Sequence, residues 1–260
     1  MSETTAPRTP RARITAITSG KGGVGKTFVS SNLAAALAQR GERVLVLDAD
    51  LGLANLDVVL NLYPKITLHD VFTGKNRLED AIVPVAGGFS VLLAGSGMVE
   101  YSRLTPEVRD QLLATIEAVT PQFDRVLLDT GAGISDVVLY TISLAHDVLV
   151  VTTPEPTAMT DAYATIKVLA TTQGRRSIQL VVNQVLKSGE GRMIRAQLQQ
   201  VIDRYVSPAL GAPVTLDLLG DVPVDPTVRE AVQKRELLLE LYPGSPAARA
   251  VVALAARIPQ

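Results

Sequence analysis

The sequence predicts an α/β protein of three layers, in which helices cover both faces of a doubly wound, mostly parallel sheet. Apolar, β-prone runs alternate with helical patterns along nearly the whole chain, and this alternation is typical of parallel sheets. The 260 residues are 47% hydrophobic but only 4% aromatic, without Trp. The core must therefore consist mainly of Val, Leu, Ile and Ala, as in sheets buried on both faces.

The same alternation predicts one domain over residues 13–260, preceded by a disordered tail over residues 1–12. The tail is rich in Thr, Pro and Arg and lacks hydrophobic periodicity. At the other end, Ser245 as N-cap and Pro246 as first residue predict a final helix that ends near Ile258. We expect this helix to pack on its own domain, with weak membrane contact as the alternative.

Composition excludes several classes of site. The chain has no cysteine, so it has no disulfide framework, thiol nucleophile or cysteine-ligated cluster. A formal net charge of −1 argues against a nucleic-acid footprint over the whole surface. We find neither a secretory signal nor a spanning apolar run and expect a cytoplasmic protein. His69 and His146 lack companion ligands in the sequence and are predicted to be structural.

A phosphate-binding loop is the strongest local pattern. Residues 19–27, SGKGGVGKT, contain G-x-x-x-x-G-K-[ST] between an apolar run at 14–17 and a helical pattern at 28–39. In such a loop the backbone N–H groups surround a polyphosphate and the helix N-terminus adds positive charge. Lys26 is expected to bind phosphate oxygens and Thr27 to hold Mg²⁺. The predicted nucleotide-binding residues are Gly20, Lys21, Gly22, Gly23, Val24, Gly25, Lys26, Thr27 and Phe28.

Carboxylates follow two predicted strands. Asp48 and Asp50 end the apolar run at 44–47, and alternation along an extended chain places both on one side, near the phosphates. Asp129 ends the strand pattern at 123–128, as expected of an aspartate that meets Mg²⁺ through its water shell. Helix capping or a turn is the alternative for the first two.

The segment KGGVGKT at residues 21–27 resembles the deviant Walker A loop of the MinD/ParA ATPases, which are P-loop NTPases of the SIMIBI-like class. The resemblance implies hydrolysis of ATP with Mg²⁺ in a homodimer that encloses the nucleotides. Lys21 would then reach the phosphates of the partner, and Lys21, Lys26 and Asp50 would be the catalytic residues. The alternative for Lys21 is a solvated lysine that only adds positive potential.

The resemblance extends to both switch regions. The first switch is LGLANLD at 51–57 together with the preceding strand end. There the resemblance implies that Asp50 positions the attacking water, that Asp48 supports the Mg²⁺ shell and that Asn55 lies on the dimer face. Helix capping is the alternative for Asn55. The predicted metal set is Thr27, Asp48 and Asp129. DTGAGI at 129–134 is similar to the second switch of the flagellar branch, whose glycines would let the backbone move.

Two further segments are similar to the flagellar group, the FlhG, FleN and YlxH proteins. In residues 155–163 the resemblance places Glu155 and Asp161 on the dimer face, near a basic residue of the same or the facing subunit; Asp161 could instead be a helix cap. Asn183 would read adenine through its amide, and Pro223, Val224 and Asp225 would form the other wall. A capping role is the alternative for Asn183.

The resemblance implies a slow ATPase that acts as a dimerisation switch, regulates flagellar number or placement, binds a flagellar assembly or regulatory protein, and visits the membrane or cell pole transiently at most. Residues 1–13 lack the Asp-Gln-Ala activator segment of that group, so GTPase activation is not expected. One alternative is a partition or division-positioning ATPase on DNA or membrane; another is a nucleotide switch without useful turnover. The candidate DNA contacts are Arg175, Arg176, Lys187, Arg192 and Arg195.

Overall fold

A computed structural model describes residues 12–52, 55–95, 101 and 103–259. The predicted tail lies outside these residues except for Ala12, as do Leu53 and Ala54 of the first switch. The sequence also predicts a loop over residues 96–103, and most of it lies outside the described residues. The structure therefore does not test the predictions for these three segments.

In the described part of the chain, eight strands form one sheet in the order β3-β4-β2-β5-β1-β6-β7-β8. Neighbouring strands are parallel except for the pair β3 and β4 at one edge. The predicted mostly parallel sheet is confirmed. The strands are β1 Arg13–Ser19, β2 Val44–Ala49, β3 Ile82–Pro84, β4 Ser90–Leu92, β5 Arg125–Ala132, β6 Asp147–Thr152, β7 Ser177–Val185 and β8 Thr215–Pro223.

Helices cover both faces of this sheet, and a separate apolar cluster lies under each layer. One cluster takes its helical residues mainly from α5, α6, α7 and α8, and the other mainly from α1, α11 and α12, which confirms the three layers. The helices are α1 Lys26–Ala38, α2 Leu56–Val59, α3 Leu68–Phe72, α4 Leu78–Ala81, α5 Pro106–Val119, α6 Asp136–Ser143, α7 Pro156–Thr172, α8 Glu190–Tyr205, α9 Ser207–Leu210, α10 Pro226–Lys234, α11 Leu238–Leu241 and α12 Pro246–Ala255.

The predicted final helix packs on its own domain. The Ser245 hydroxyl accepts a hydrogen bond from Ala248 N, as expected of an N-cap. Val251, Leu254 and Ile258 are buried against the rest of the chain, and α12 contacts α1 and β8. The helix ends at Ala255, three residues before the predicted end. No helix of the described residues has the length and apolar character needed to cross a membrane.

Two strands run further than the sequence predicts. β5 continues past Asp129 to Ala132, because Ala132 pairs with Ser19 and Gly133 N donates to the Ser19 carbonyl at 2.8 Å. The sequence predicts a strand over residues 177–182 with Asn183 directly after it, whereas β7 continues to Val185, because a bulge lets it keep pairing with β8. The start of the second switch is therefore sheet rather than loop, and Asn183 lies inside a strand rather than after it.

His146 has the structural role that we predicted. Its Nδ1 accepts a hydrogen bond from Ile14 N at 3.0 Å, and its backbone N donates to Ile14 O at 2.9 Å. His69 lies in α3 with its imidazole edge-on to the Tyr101 ring, at 5.9 Å between centroids. Within the described residues no three acidic or histidine side chains gather as metal ligands.

Candidate nucleotide-binding site

The predicted phosphate loop joins β1 to α1, and glycines fix its shape. Gly25 precedes the first turn of α1 with φ +92°, a conformation that glycine adopts easily. A Cβ on Gly25 would collide with the Asn183 amide, and a Cβ on Gly20 would collide with the backbone carbonyl of Asp161. The loop is therefore in close contact with both β7 and α7.

A cavity of about 560 Å³ opens in front of this loop. Its size falls in the range of small-molecule sites. The fold brings together three predicted segments along its wall: the phosphate loop, the first switch and the second switch. The lining residues include Gly22, Gly23, Gly25, Lys26, Thr27, Phe28, Asp50, Asn55, Gly131 and Ala132.

Two buried carboxylates lie beneath the cavity. Asp48 and Asp129 are paired residues of β2 and β5 and are only 2% and 3% exposed. Burial and the neighbouring Asp129 charge hold the pKa of Asp48 well above its usual value. Burial also raises the pKa of Asp129 to about 6, against the opposing effects of the Thr27 hydroxyl and the Lys26 ammonium. Burial disfavours an ionised carboxylate, and a neighbouring negative charge adds to that effect, from Asp129 on Asp48 and from Asp50 on Asp129.

The residues present fit a magnesium ion bound through its water shell. Asp129 Oδ1 is buried and has no hydrogen-bond partner in the described structure, although such atoms normally have one. The Thr27 hydroxyl lies 3.3 Å from Asn55 Oδ1. Mg²⁺ usually keeps several waters and takes one or two protein carboxylates, so an unpartnered carboxylate oxygen beside a hydroxyl suits it.

Lys26, which the sequence assigned to the phosphates, lies close to these acids. Burial lowers its pKa, and the nearby Asp129 and Asp50 charges oppose that effect. An ammonium group at this position carries the positive charge that anionic phosphate oxygens need. The predicted catalytic pair Lys26 and Asp50 therefore lies in one cluster.

Asp50 and Asn55 are both placed at the cavity. Asp50 N donates to Asp48 Oδ1 at 3.2 Å, and a Cβ on Gly131 would come within 3.2 Å of Asp50 Oδ1. Gly131 of the second switch thus leaves room for the Asp50 carboxylate. Asn55 is at the N-cap position of α2 but makes no capping hydrogen bond. Its amide oxygen accepts from Thr27 instead, which rules out the capping alternative in this structure.

The comparisons with known proteins agree with this geometry. A model of the ParA family, described as an NUBPL iron-transfer P-loop NTPase, matches residues 11–259. The chain belongs to the ParA family of P-loop NTPases. Because the sequence has no cysteine, it cannot hold iron through thiolates as iron–sulfur proteins do.

Among the relatives of this ParA-family chain are two flagellar proteins. The antiactivator FleN of Pseudomonas aeruginosa is 42% identical over 95% of this chain and 86% of its own length. The flagellum site-determining protein YlxH of Helicobacter pylori is 34% identical over 88% of this chain and 75% of its own length. The septum site-determining protein MinD from Pyrococcus horikoshii, solved with Mg-ADP, is 28% identical with a TM-score of 0.78, over 96% of both chains.

Asn183, the predicted adenine reader, is buried behind the loop of this ParA-family site. Its Nδ2 donates to the Val24 carbonyl at 2.9 Å, and its Oδ1 accepts from Gln184 N at 2.9 Å. An amide has two N–H groups and two acceptor lone pairs, so one of each is left for a base. Gln184 has φ +60°, which no sequence signal indicates for a glutamine.

The predicted second wall is only partly suited to a base. Val224 is 54% exposed, and its N donates to Val185 O at 2.9 Å, next to Asn183. The Asp225 carboxylate, however, accepts from Thr227 N at 3.0 Å and from Ala247 N at 3.1 Å. It caps α10 and binds the first turn of α12, which leaves only the Asp225 backbone for a nucleotide.

Lys21 forms an ion pair within its own chain. Its Nζ lies 2.9 Å from Glu155 Oε2 and 3.0 Å from Thr157 Oγ1, at the start of α7. This agrees with the expectation that Glu155 pairs with a basic residue of the same or the facing subunit. Asp161 lies inside α7, whose N-cap is Glu155, so the capping alternative for Asp161 is wrong.

The side chains of two of the five candidate DNA-binding residues already form hydrogen bonds within the protein. Arg175 donates to the carbonyls of Ile142, Ala145 and His146, at the end of α6, and burial lowers the pKa of its guanidinium. The Arg195 Nε donates to Leu216 O at 2.8 Å. These two side chains hold helices in place and are poorly suited to contact phosphates on DNA.

Proposed function

We propose that this protein is an Mg²⁺-dependent ATPase whose ATP-bound form is a homodimer, and that this switch regulates the number or placement of flagella. The flagellar role rests on the 42% identity to FleN over 95% of the chain. The use of ATP and Mg²⁺ rests on the phosphate loop, on membership of the ParA family and on the related MinD solved with Mg-ADP.

One observation carries the dimer proposal. Lys26 lines the cavity in front of the loop, whereas Lys21 lies outside the lining residues and reaches α7. The Lys21 side chain is 39% exposed, and its ion pair with Glu155 lies at the surface, so we infer that it exchanges this partner for the phosphates of a facing copy. There a cation would stabilise the charge of the transition state.

The proposed chemistry within one subunit uses the phosphate loop, the magnesium-site residues and Asp50. Lys26 and the loop N–H groups bind the phosphates, while Thr27 and Asp129, with Asp48 behind them, hold Mg²⁺ and its waters. The ion, when bound, neutralises charge on the transferring phosphoryl group. Asp50 orients the attacking water. The ATP-bound dimer binds a flagellar assembly or regulatory protein, and hydrolysis ends that dimer. Turnover is therefore slow, because its rate sets how long the dimer lasts.

The water-positioning role is tested by Asp50→Ala, with exposed Asp80→Ala as the matched control. Both variants should bind ATP, but only Asp50→Ala should accumulate an ATP-bound dimer that releases no phosphate. Equal phosphate release from Asp50→Ala and the wild type would reject the assignment. In the native host, a deletion should change the number of flagella per cell, and the wild-type gene should restore it; an unchanged number would reject the flagellar role alone.

A further inference from the structure

The helical layer that contains α7 and α8 has an apolar groove on its outer surface, which we call the α7–α8 groove. Its volume is about 430 Å³, and it is lined by Pro156, Met159, Thr160 and Tyr163 of α7 and by Gln197, Leu198 and Val201 of α8. It lies apart from the cavity of the nucleotide site, which has a different set of lining residues.

The apolar surface continues along α8 on both sides of the groove. Met193 is 55% exposed, Val201 38% and Tyr205 57%. Residues four apart lie on one face of a helix, so Met193, Gln197, Val201 and Tyr205 form a row, apolar except for Gln197, on the side of the groove. Exposed large apolar side chains in a row are unusual on a monomer surface and mark interaction sites.

The charges at one end of the groove are of one sign. Lys167 is four residues after Tyr163, and Arg204 is three residues after Val201, so both extend the lining faces by one turn. Neither side chain forms an ion pair with another described residue. The Arg204 guanidinium lies over the Tyr205 ring, 5.3 Å from its centroid.

None of the three carboxylates of these two helices forms an ion pair with Lys167 or Arg204. Glu190 accepts hydrogen bonds from the backbone N of Leu186 and Lys187. Asp203 accepts from the Gln199 amide at 2.7 Å, on another face of α8. The backbone carbonyl and Cβ of Asp161 lie against Gly20 of the phosphate loop. The groove therefore ends in two exposed cations that form no ion pair with another described residue.

We propose that the α7–α8 groove binds an amphipathic helix of a partner protein, with acidic residues at the end that meets Lys167 and Arg204. The distance from Pro156 to Lys167 along α7 is roughly 16 Å, which a partner helix of about three turns would cover. Apolar side chains at positions i, i+3, i+4 and i+7 of that helix would fill the groove. Its carboxylates would pair with the two cations and fix its direction.

Other occupants suit the groove less well. A second copy of the same face would bring Lys167 and Arg204 against like charges without a carboxylate to pair them. The N-terminal segment of the chain has Glu3 against Arg8 and Arg11, which leaves it net positive, and no row of apolar anchors. Both would meet the positive end of the groove unfavourably.

A display library of 18-residue helical peptides, selected on the full-length chain, tests this proposal. The peptides carry Leu at i, i+3, i+4 and i+7, and the residues at each end are random. Selected peptides should be enriched in Asp and Glu at one end only, and hydrogen exchange should map them to α7 and α8. Selection without acidic enrichment, or protection elsewhere on the chain, would overturn the proposal.

Charge reversal gives the sharper readout. Lys167→Glu combined with Arg204→Glu should weaken the best acidic peptide at least tenfold and strengthen the same peptide with Lys in place of the acids. Val201→Ser should weaken both peptides, whereas Val252→Ser on α12, which is also exposed (46%), should leave both affinities unchanged. Unfolding curves of each variant verify the fold.

Two other outcomes would identify a different occupant and overturn the proposal. Concentration-dependent self-association without nucleotide that Val201→Ser abolishes would identify a second copy. Binding to vesicles of anionic phospholipid that the charge reversal abolishes, without peptide binding, would identify a membrane surface.

Discussion

Asp48 and Asp129 face each other across the β2–β5 pair, two carboxylates that are almost completely buried in adjacent strands. Burial raises the pKa of both, that of Asp129 to about 6, and the Asp129 charge raises the pKa of Asp48 further. The arrangement costs stability whenever both acids are ionised, and a bound cation offsets that cost. The two acids therefore lower the stability of the ion-free protein, and we attribute their position to cation binding rather than to folding.

The first prediction concerns pH. The folded pKa of Asp129 exceeds its unfolded value of 3.8, so the folded state holds the proton more tightly. This contribution to stability is complete below about pH 4 and is lost as the pH rises through about 6. Asp129→Asn removes it. Without Mg²⁺, we expect the variant to gain on the order of 3 kcal/mol over the wild type between pH 4 and pH 7.

Urea unfolding in EDTA at several pH values measures this difference. Asp203→Asn, an exposed change on α8, is the control and should follow the wild-type profile. Added Mg²⁺ should stabilise the wild type at pH 7 but not Asp129→Asn. Parallel profiles for the wild type and Asp129→Asn would show that the buried pair carries no such strain.

The second prediction concerns the contact between the phosphate loop and α7. Gly20→Ala places a methyl group into the backbone carbonyl of Asp161, whereas Gly22→Ala meets no atom within 4 Å. A backbone clash in a packed interior costs roughly 1–3 kcal/mol. We expect that loss of unfolding free energy for Gly20→Ala and less than about 0.5 kcal/mol for Gly22→Ala. Equal losses would mean that the loop is not held against α7.

The third prediction concerns the two tasks of Asn183. Asn183→Ala leaves the Val24 carbonyl without its donor, which should cost roughly 1–3 kcal/mol of stability. If the amide also reads adenine, the ratio of ATP to GTP affinity should fall, because only the base contact distinguishes the two nucleotides. Calorimetric titration with both nucleotides measures the ratio. An unchanged ratio, with both affinities weakened equally, would leave Asn183 with the loop contact alone.

The fourth prediction concerns the basic residues of the DNA alternative. Arg175→Ala removes the donor to three carbonyls at the end of α6, and we expect a loss of roughly 1–3 kcal/mol in unfolding free energy. Arg176→Ala, the neighbouring control, should change it by less than about 0.5 kcal/mol. Neither variant should alter retention on DNA in the presence of ATP. A loss of salt-sensitive DNA binding in either would favour the partition role.

Much of this structure could be predicted from local pattern. The strand Val44–Ala49 depends on a continuous apolar run, and the start of the final helix at Ser245 depends on a capping hydroxyl. The clustering of Lys26, Thr27, Asp50 and Asn55 also followed, because strand ends and the phosphate loop meet at one edge of a parallel sheet.

The rest depends on contacts between distant residues. The cap that Asp225 forms on α12 joins residues 22 positions apart, so the sequence favoured a nucleotide role that the carboxylate is not free to play. The left-handed Gln184 and the longer β7 arise from pairing with β8. The strand β3, which pairs antiparallel with β4 at the edge of the sheet, has only three residues. A segment of this length is too short to show a hydrophobic period in the sequence.

The central claim is that Lys21 acts on the nucleotide of a second copy. Sedimentation velocity with ATP and Mg²⁺ compares Asp50→Ala with the double variant Lys21→Ala and Asp50→Ala, so that hydrolysis is removed from both samples. We expect a dimer for Asp50→Ala and a monomer with bound nucleotide for the double variant. Monomers in both samples, or dimers in both, would contradict it.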